Sequence, residues 1–231
     1  MYLCTMITVE ICTPSRASAV AAKEGGAQRI ELCRQLEVGG LTPYEDDIDY
    51  CVHTLGLRTH VLVRPRAGDF CYSEAEVSEI EHTILRCKEL GAHAVVVGFL
   101  TASGQVDVEL TRRMVQLAAP MEITFHRAFD EARQAPMEAL KAISSCSCTR
   151  LLTSGQRPTA IEGSDVIRQL VGATNVMILA GSGVTPDNVR QLIAATGVTE
   201  VHGSCKRAMP DGSIQTDAGQ VRQLIENIHR L

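Results

Sequence analysis

Tryptophan is absent from the 231-residue sequence, and phenylalanine and tyrosine occur only four times each. So few flat side chains exclude the stacking platforms that bind single-stranded nucleic acid. Basic runs are missing too: 22 Lys and Arg face 27 Asp and Glu, a net charge of −5, the wrong sign for a phosphate backbone. The apolar runs fall far short of the ~18 residues that a membrane span requires. Residues 1–12 carry no basic leader region, so neither a secretory signal nor a membrane partner is expected. Nine cysteines, an odd number and dispersed, contain no Cys-x-x-Cys pair, and Cys146-Ser147-Cys148 is too tight for a zinc knuckle. They read as reduced thiols rather than as a disulfide framework. The four lysines, Lys23, Lys88, Lys141 and Lys206, all fall outside the candidate strands, which demotes Schiff-base chemistry. His-Glu-x-x-His and Gly-x-Ser-x-Gly motifs are also missing.

What is present is an alternation. β-Branched runs at 7–12, 28–33, 58–64, 93–99, 121–126, 149–153, 175–180 and 199–203 are each followed by a turn and a helix-length stretch. Val77, Ile80, Ile84 and Cys87 share one helical face; Val221, Leu224, Ile225 and Ile228 share another, within a closing helix over about 217–229. Thr13-Pro14, Thr42-Pro43 and Thr185-Pro186 read as helix starts, and Ser73-x-x-Glu76 as a capping box. Gly25, Gly56, Gly91 and Gly197 mark helix ends. Eight strand–helix units without a linker predict an α/β fold: one (β/α)8 barrel domain over residues 1–231. The rival open sheet lacks its Gly-x-Gly-x-x-Gly turn, since the first strand runs into Cys12-Thr13-Pro14.

Strand parity then assigns two faces. Val9, Ile11, Ile30, Leu32, Val61, Val63, Ile123 and Phe125 should meet the helices, and the polar set should fill the barrel. That set comprises Glu10, Cys12, Glu31, Cys33, His60, Arg64, Glu122, His126, Arg150, Glu200 and His202, and its charges must pair because isolated ones are costly to bury.

Residues near the C-terminal strand ends lie at the mouth, where barrel active sites sit. Glu10, Glu31 and His126 are candidates for proton transfer, and Arg64 and Arg127 for gripping a small anionic ligand. Gly181, Ser182 and Gly183 after the seventh strand, with Gly203 and Ser204 after the eighth, suit phosphate; Ser154 and Gly155 add to the anion-binding set. Cys12 and Cys33 end neighbouring strands in matching places, close enough to share Cu(I), which tolerates two thiolates. Two small residues packing together, and charges that merely brace the core, are the structural alternatives.

Glu-Ile-Cys at 10–12, Arg-Ile-Glu-Leu-Cys at 29–33, Gly-Gly-Leu-Thr-Pro at 39–43 and the long segments at 64–73, 124–130, 150–155 and 180–184 together resemble the CutC copper homeostasis family over residues 7–207. The resemblance implies a single-domain TIM barrel that is cytoplasmic and homo-oligomeric, a homodimer or homotetramer. It also implies that Cys12 and Cys33 bind Cu(I). Ala67, Tyr44 and Gln28 depart from the family pattern, away from the thiol pair and the polar core.

Overall fold

A computed structural model describes residues 7–209, 212 and 214–229. Eight parallel strands close into a barrel in chain order: β1 (Thr8–Thr13), β2 (Arg29–Leu32), β3 (Arg58–Leu62), β4 (Ala94–Val97), β5 (Glu122–Phe125), β6 (Arg150–Thr153), β7 (Met177–Gly181) and β8 (Glu200–Gly203). The pairing of β1 with β8, Thr8 opposite Glu200 and Glu10 opposite His202, seals the ring. The expected (β/α)8 barrel is the fold.

The helices are α1 (Arg16–Glu24), α2 (Glu45–Asp49, continued by a wider turn over Tyr50–Thr54), α3 (Glu74–Glu89), α4 (Val108–Ala118), α5 (Ala128–Glu131), α6 (Pro136–Ser145), α7 (Ser164–Leu170), α8 (Val189–Thr196) and α9 (Ala218–His229). A hairpin, β9 (Lys206–Ala208) with β10 (Ile214–Thr216), is inserted between β8 and α9. In α3 the Ser73 capping box forms as expected, and Ile80, Ile84 and Cys87 are buried. In α9, Val221, Leu224 and Ile228 are buried.

The three threonine–proline helix starts are corrected. Ser15, Tyr44 and Asn188 occupy the N-cap positions instead. The threonines have other partners. Thr13 belongs to β1 and its Oγ1 donates to the Glu31 carbonyl; Thr42 Oγ1 accepts the Arg64 N–H; the Thr185 N–H donates to Asn188 Oδ1. Most strands are also shorter than their sequence runs. Cys33 and His126 are the first residues beyond β2 and β5 and Arg64 the second beyond β3; the Cys33 and His126 N–H groups still donate to the carbonyls of Thr13 and Val97 on the neighbouring strands.

The expected parity holds. Val9, Ile11, Ile30, Leu32, Val61, Val63, Ile123 and Phe125 are buried in the large apolar layer between sheet and helices. Cys12, Cys33, Leu62 and Val96, joined by Leu36, form a separate small cluster. Parity and register stack the interior in layers of four from alternate strands. Arg29, Ala94, Arg150 and Glu200 lie lowest, then Glu10, His60, Thr124 and Leu179, then Glu31, Val96, Leu152 and His202. Cys12, Leu62, His126 and Gly181 form the layer below the mouth.

Candidate active site at the barrel mouth

Where most such barrels hold Val, Ile and Leu, the lower interior here is an ion-pair chain. Arg29 Nε lies 2.8 Å from Glu10 Oε2, and its Nη2 also bonds Glu200. Arg150 bridges Glu200 at 2.8 Å and Glu122 at 2.7 Å. Arg29 is the member that the sequence reading left out, although it shares parity with Glu31; counting acids against bases on the inward face would have demanded it.

Glu10 is fully buried with a nitrogen close on three sides: Arg29 Nε at 2.8 Å, His60 Nδ1 at 2.9 Å and His202 Nδ1 at 2.9 Å. Burial alone would raise this carboxyl, but the hydrogen bonds from His202 and His60 and the Arg29 charge hold it well below its usual value. Glu10 does not line the mouth cavity, so its geometry makes it an orienting anion for His202 rather than a group that reaches a ligand. His60 is pushed down by burial and stays neutral.

Above this layer opens a cavity of about 550 Å³. On one side it meets Cys12, Glu31 and His202, whose donor atoms all lie within 4.8 Å of one another. Cys12 Sγ donates to Glu31 Oε1 at 3.6 Å and lies 3.8 Å from Cys33 Sγ. The contact with Cys33 and burial push the Cys12 thiol well up. Burial, and then the nearby Glu10 charge, raise Glu31. Burial works against the His202 imidazolium, but the Glu31 charge and the contacts with Cys12 and Glu10 raise it well above its usual value.

Arg64, Phe70, His126 and Arg127 line another part of the cavity. The backbone N–H of Ala128 donates to His126 Nδ1 at 3.0 Å, so the proton of the neutral ring sits on Nε2. Burial first, then the Arg64 charge, lowers His126 to about 3. The ring is thus a hydrogen-bond donor through Nε2 at neutral pH. Gly98 makes the position available, because a Cβ there would lie 2.3 Å from His126 Nδ1.

Ser182, Gly183, Val184, Gly203, Ser204 and Lys206 also line the cavity. Ser182 and Gly183 stand at φ +82° and +70°, and the N–H groups of Ser182, Gly183 and Val184 donate to no other described residue. Gly181 lies just beneath, against Leu152. Ser154 and Gly155 are different: they lie outside the cavity lining. The Ser154 N–H and hydroxyl and the Gln156 N–H all bond the Asp130 carboxylate, and Thr153 Oγ1 accepts the Gly155 N–H. Asp130 already supplies the anion there. It also holds Arg127, whose Nε lies 2.8 Å away.

The CutC family model matches residues 7–207. The chain belongs to the CutC family. A CutC family protein of Chromobacterium violaceum is 44% identical over 200 residues, 86% of this chain and 81% of that protein. One from Glaesserella parasuis is also 44% identical, covering 86% and 82%. The solved CutC of Streptococcus agalactiae, named for copper homeostasis, is 31% identical with a TM-score of 0.81, covering 86% of this chain and 99% of that one. A phosphoribosylanthranilate isomerase of Thermotoga maritima superposes with a TM-score of 0.66 at 15% identity, over 98% of this chain and 100% of that one, and shares the fold alone. No described helix is long and apolar enough to cross a membrane.

Proposed function

We propose that the barrel mouth of this CutC family member is an enzyme site for a small anionic or phosphorylated metabolite. The observation that carries this reading is the 550 Å³ cavity itself, which is far larger than an ion needs and brings together a buried guanidinium, a neutral imidazole donor and unbonded loop N–H groups. Arg64, Arg127 and Lys206 supply positive charge, and the loops at 182–184 and 203–204 supply backbone donors. Glu31 and His202 face the ligand as the proton-transfer pair, with Glu10 holding the His202 ring through Nδ1. Crystals soaked in millimolar phosphate or sulfate test the reading. An anion at the 182–184 and 203–204 loops is expected, and repeated absence would end it.

The thiol pair favours a second reading, the family's copper association, with Cu(I) as cargo. Metal–sulfur bonds of roughly 2.3 Å let one ion bridge sulfurs up to about 4.6 Å apart, so the observed 3.8 Å separation of Cys12 and Cys33 fits a bent two-thiolate site. The surroundings fit less well, since an imidazolium at His202 is no ligand and both thiols must lose protons. Anaerobic Cu(I) titration against a competing chelator separates the readings: tight binding abolished in a Cys12→Ser/Cys33→Ser variant supports cargo, and weak or unchanged binding removes it. A cytoplasmic homodimer or homotetramer belongs to this reading as the family's expected setting.

A further inference from the structure

Two segments fold around one side chain. Arg64 Nη1 donates to the carbonyls of Val38 at 3.0 Å and Gly40 at 3.1 Å, and Nη2 to that of Gly68 at 2.8 Å. The guanidinium carbon lies over the Phe70 ring, 5.0 Å from its centre. Gly39 and Gly40 both stand at φ +87°, and a Cβ on Gly39 would press on Nη1 at 3.1 Å. The Gly-Gly-Leu-Thr segment and the loop after β3 therefore build a socket for a single cation.

Among the described residues that cation has no counter-charge: no carboxylate pairs with Arg64 and its Nε–H finds no acceptor there, and the residue is only 7% exposed. The contrast lies in the same barrel, where Arg29 and Arg150 each touch two carboxylates. A buried guanidinium offered only neutral carbonyls is costly unless something else brings the charge. Next to it stands another donor without a partner among the described residues, His126 Nε2, on a ring that packs 4.7 Å from the same Phe70. Both side chains line the cavity and both are more than nine-tenths buried.

We propose that Arg64 and His126 together form a receptor for a carboxylate on the ligand of this cavity. The guanidinium supplies charge and the imidazole supplies a neutral, directed N–H. The inference rests on the anionic-ligand reading above and sharpens it. One cation with one neutral donor matches a planar monoanion, while the backbone donors at 182–184, with Lys206 on the same lining, match a tetrahedral dianion. The ligand class is a short metabolite with a carboxylate at one end and a phosphate at the other. Because Nδ1 is held by the Ala128 N–H, His126 takes no proton from this ligand and remains a donor throughout.

Calorimetric titration of the full chain with three probes tests this: phosphoglycolate carries both groups, glycerol 3-phosphate the phosphate alone and glycolate the carboxylate alone. Phosphoglycolate is expected to bind about tenfold or more tightly than glycerol 3-phosphate, the worth of one charge-assisted hydrogen bond. Glycolate is expected to bind weakly and to be lost with either side chain. Arg64→Met and His126→Phe should erase the preference, lowering phosphoglycolate affinity much more than glycerol 3-phosphate affinity, whereas His126→Gln, which keeps a donor, should retain most of it. If Arg64→Met does not fold, Arg64→Lys keeps the charge without the fork and should show a partial loss. Imidazole ¹⁵N spectra should report His126 as the neutral Nε2–H form with and without phosphoglycolate, with the Nε2–H resonance moving on binding. Equal affinity for phosphoglycolate and glycerol 3-phosphate would overturn the carboxylate receptor while the anion site stands. Binding of no probe would overturn both.

Discussion

At the scale of single residues, the site depends on what is left out as much as on what is present. Gly98 faces inward at the level of the mouth, and any side chain there would occupy the space of the His126 ring. Gly98→Ala should cost about 1–3 kcal/mol by overpacking and turn the imidazole away, read as a lowered melting temperature with a lost Nε2–H signature. The protonation of His126 gives a second test. Its folded value of about 3 lies below the ordinary value of 6.5, so between those limits the unfolded chain binds the extra proton. Stability from this residue is complete above pH 6.5 and is lost as pH falls toward 3, by up to about 1.4 kcal/mol per pH unit. His126→Gln should flatten that part of the profile, measured as urea midpoints at pH 5 and pH 7. Parity made His126 legible as an inward residue near the mouth. Its role as donor was not legible, because the partner that fixes the tautomer is a backbone N–H two residues on, placed by the short α5 turn.

At the scale of elements, local chemistry decided some boundaries and tertiary partners decided others. The Ser73 capping box is self-contained: Ser73 Oγ accepts the Glu76 N–H and Glu76 reaches back to the Ser73 N–H. Four residues carry the whole interaction, so four residues of sequence reveal it. Ser73→Ala should cost about 1 kcal/mol of global stability in a denaturant titration, the usual worth of an N-cap. The Ser73 N–H first, with Arg66, lowers Glu76 from its ordinary value of 4.5 to about 2, so this helix start loses support progressively as pH falls between those values. The threonine–proline pairs are the counterexample. Each looks like a helix start in isolation, but Thr13 and Thr42 bond residues 18 and 22 positions away in the chain. No local pattern carries that information.

At the scale of the whole molecule, closing the sheet brings Glu10, Arg29, Glu31, His60, Arg150, Glu200 and His202 together inside the ring, and the ledger of their charges bears on stability. Arg29 neutralises Glu10 and Glu200 together. Arg29→Met should destabilise the barrel by about 3–5 kcal/mol in chemical unfolding, because two buried carboxylates each lose a partner. Glu31 behaves in the opposite way. Its folded value is raised, so its charged form is disfavoured in the barrel, and the cost grows as pH rises through that folded value. Glu31→Gln should therefore raise the melting temperature at neutral pH, while any proton transfer at the mouth is lost.

The sequence by itself determined the eight-unit repeat, the faces of the six strands read by parity, and hence most of the acids, guanidiniums, imidazoles and thiols that enter the barrel, Arg29 excepted. These follow from side-chain alternation and hydrophobic burial, which act over a few residues. Only the tertiary structure decided who pairs with whom. Register places Arg29 between Glu10 and Glu200, gives Asp130 to the Ser154 loop in place of an outside anion, and leaves Arg64 with carbonyls but no carboxylate. Electrostatic partnership acts through space at ångström distances between residues up to 192 positions apart in the chain, and that proximity exists only once the ring has closed.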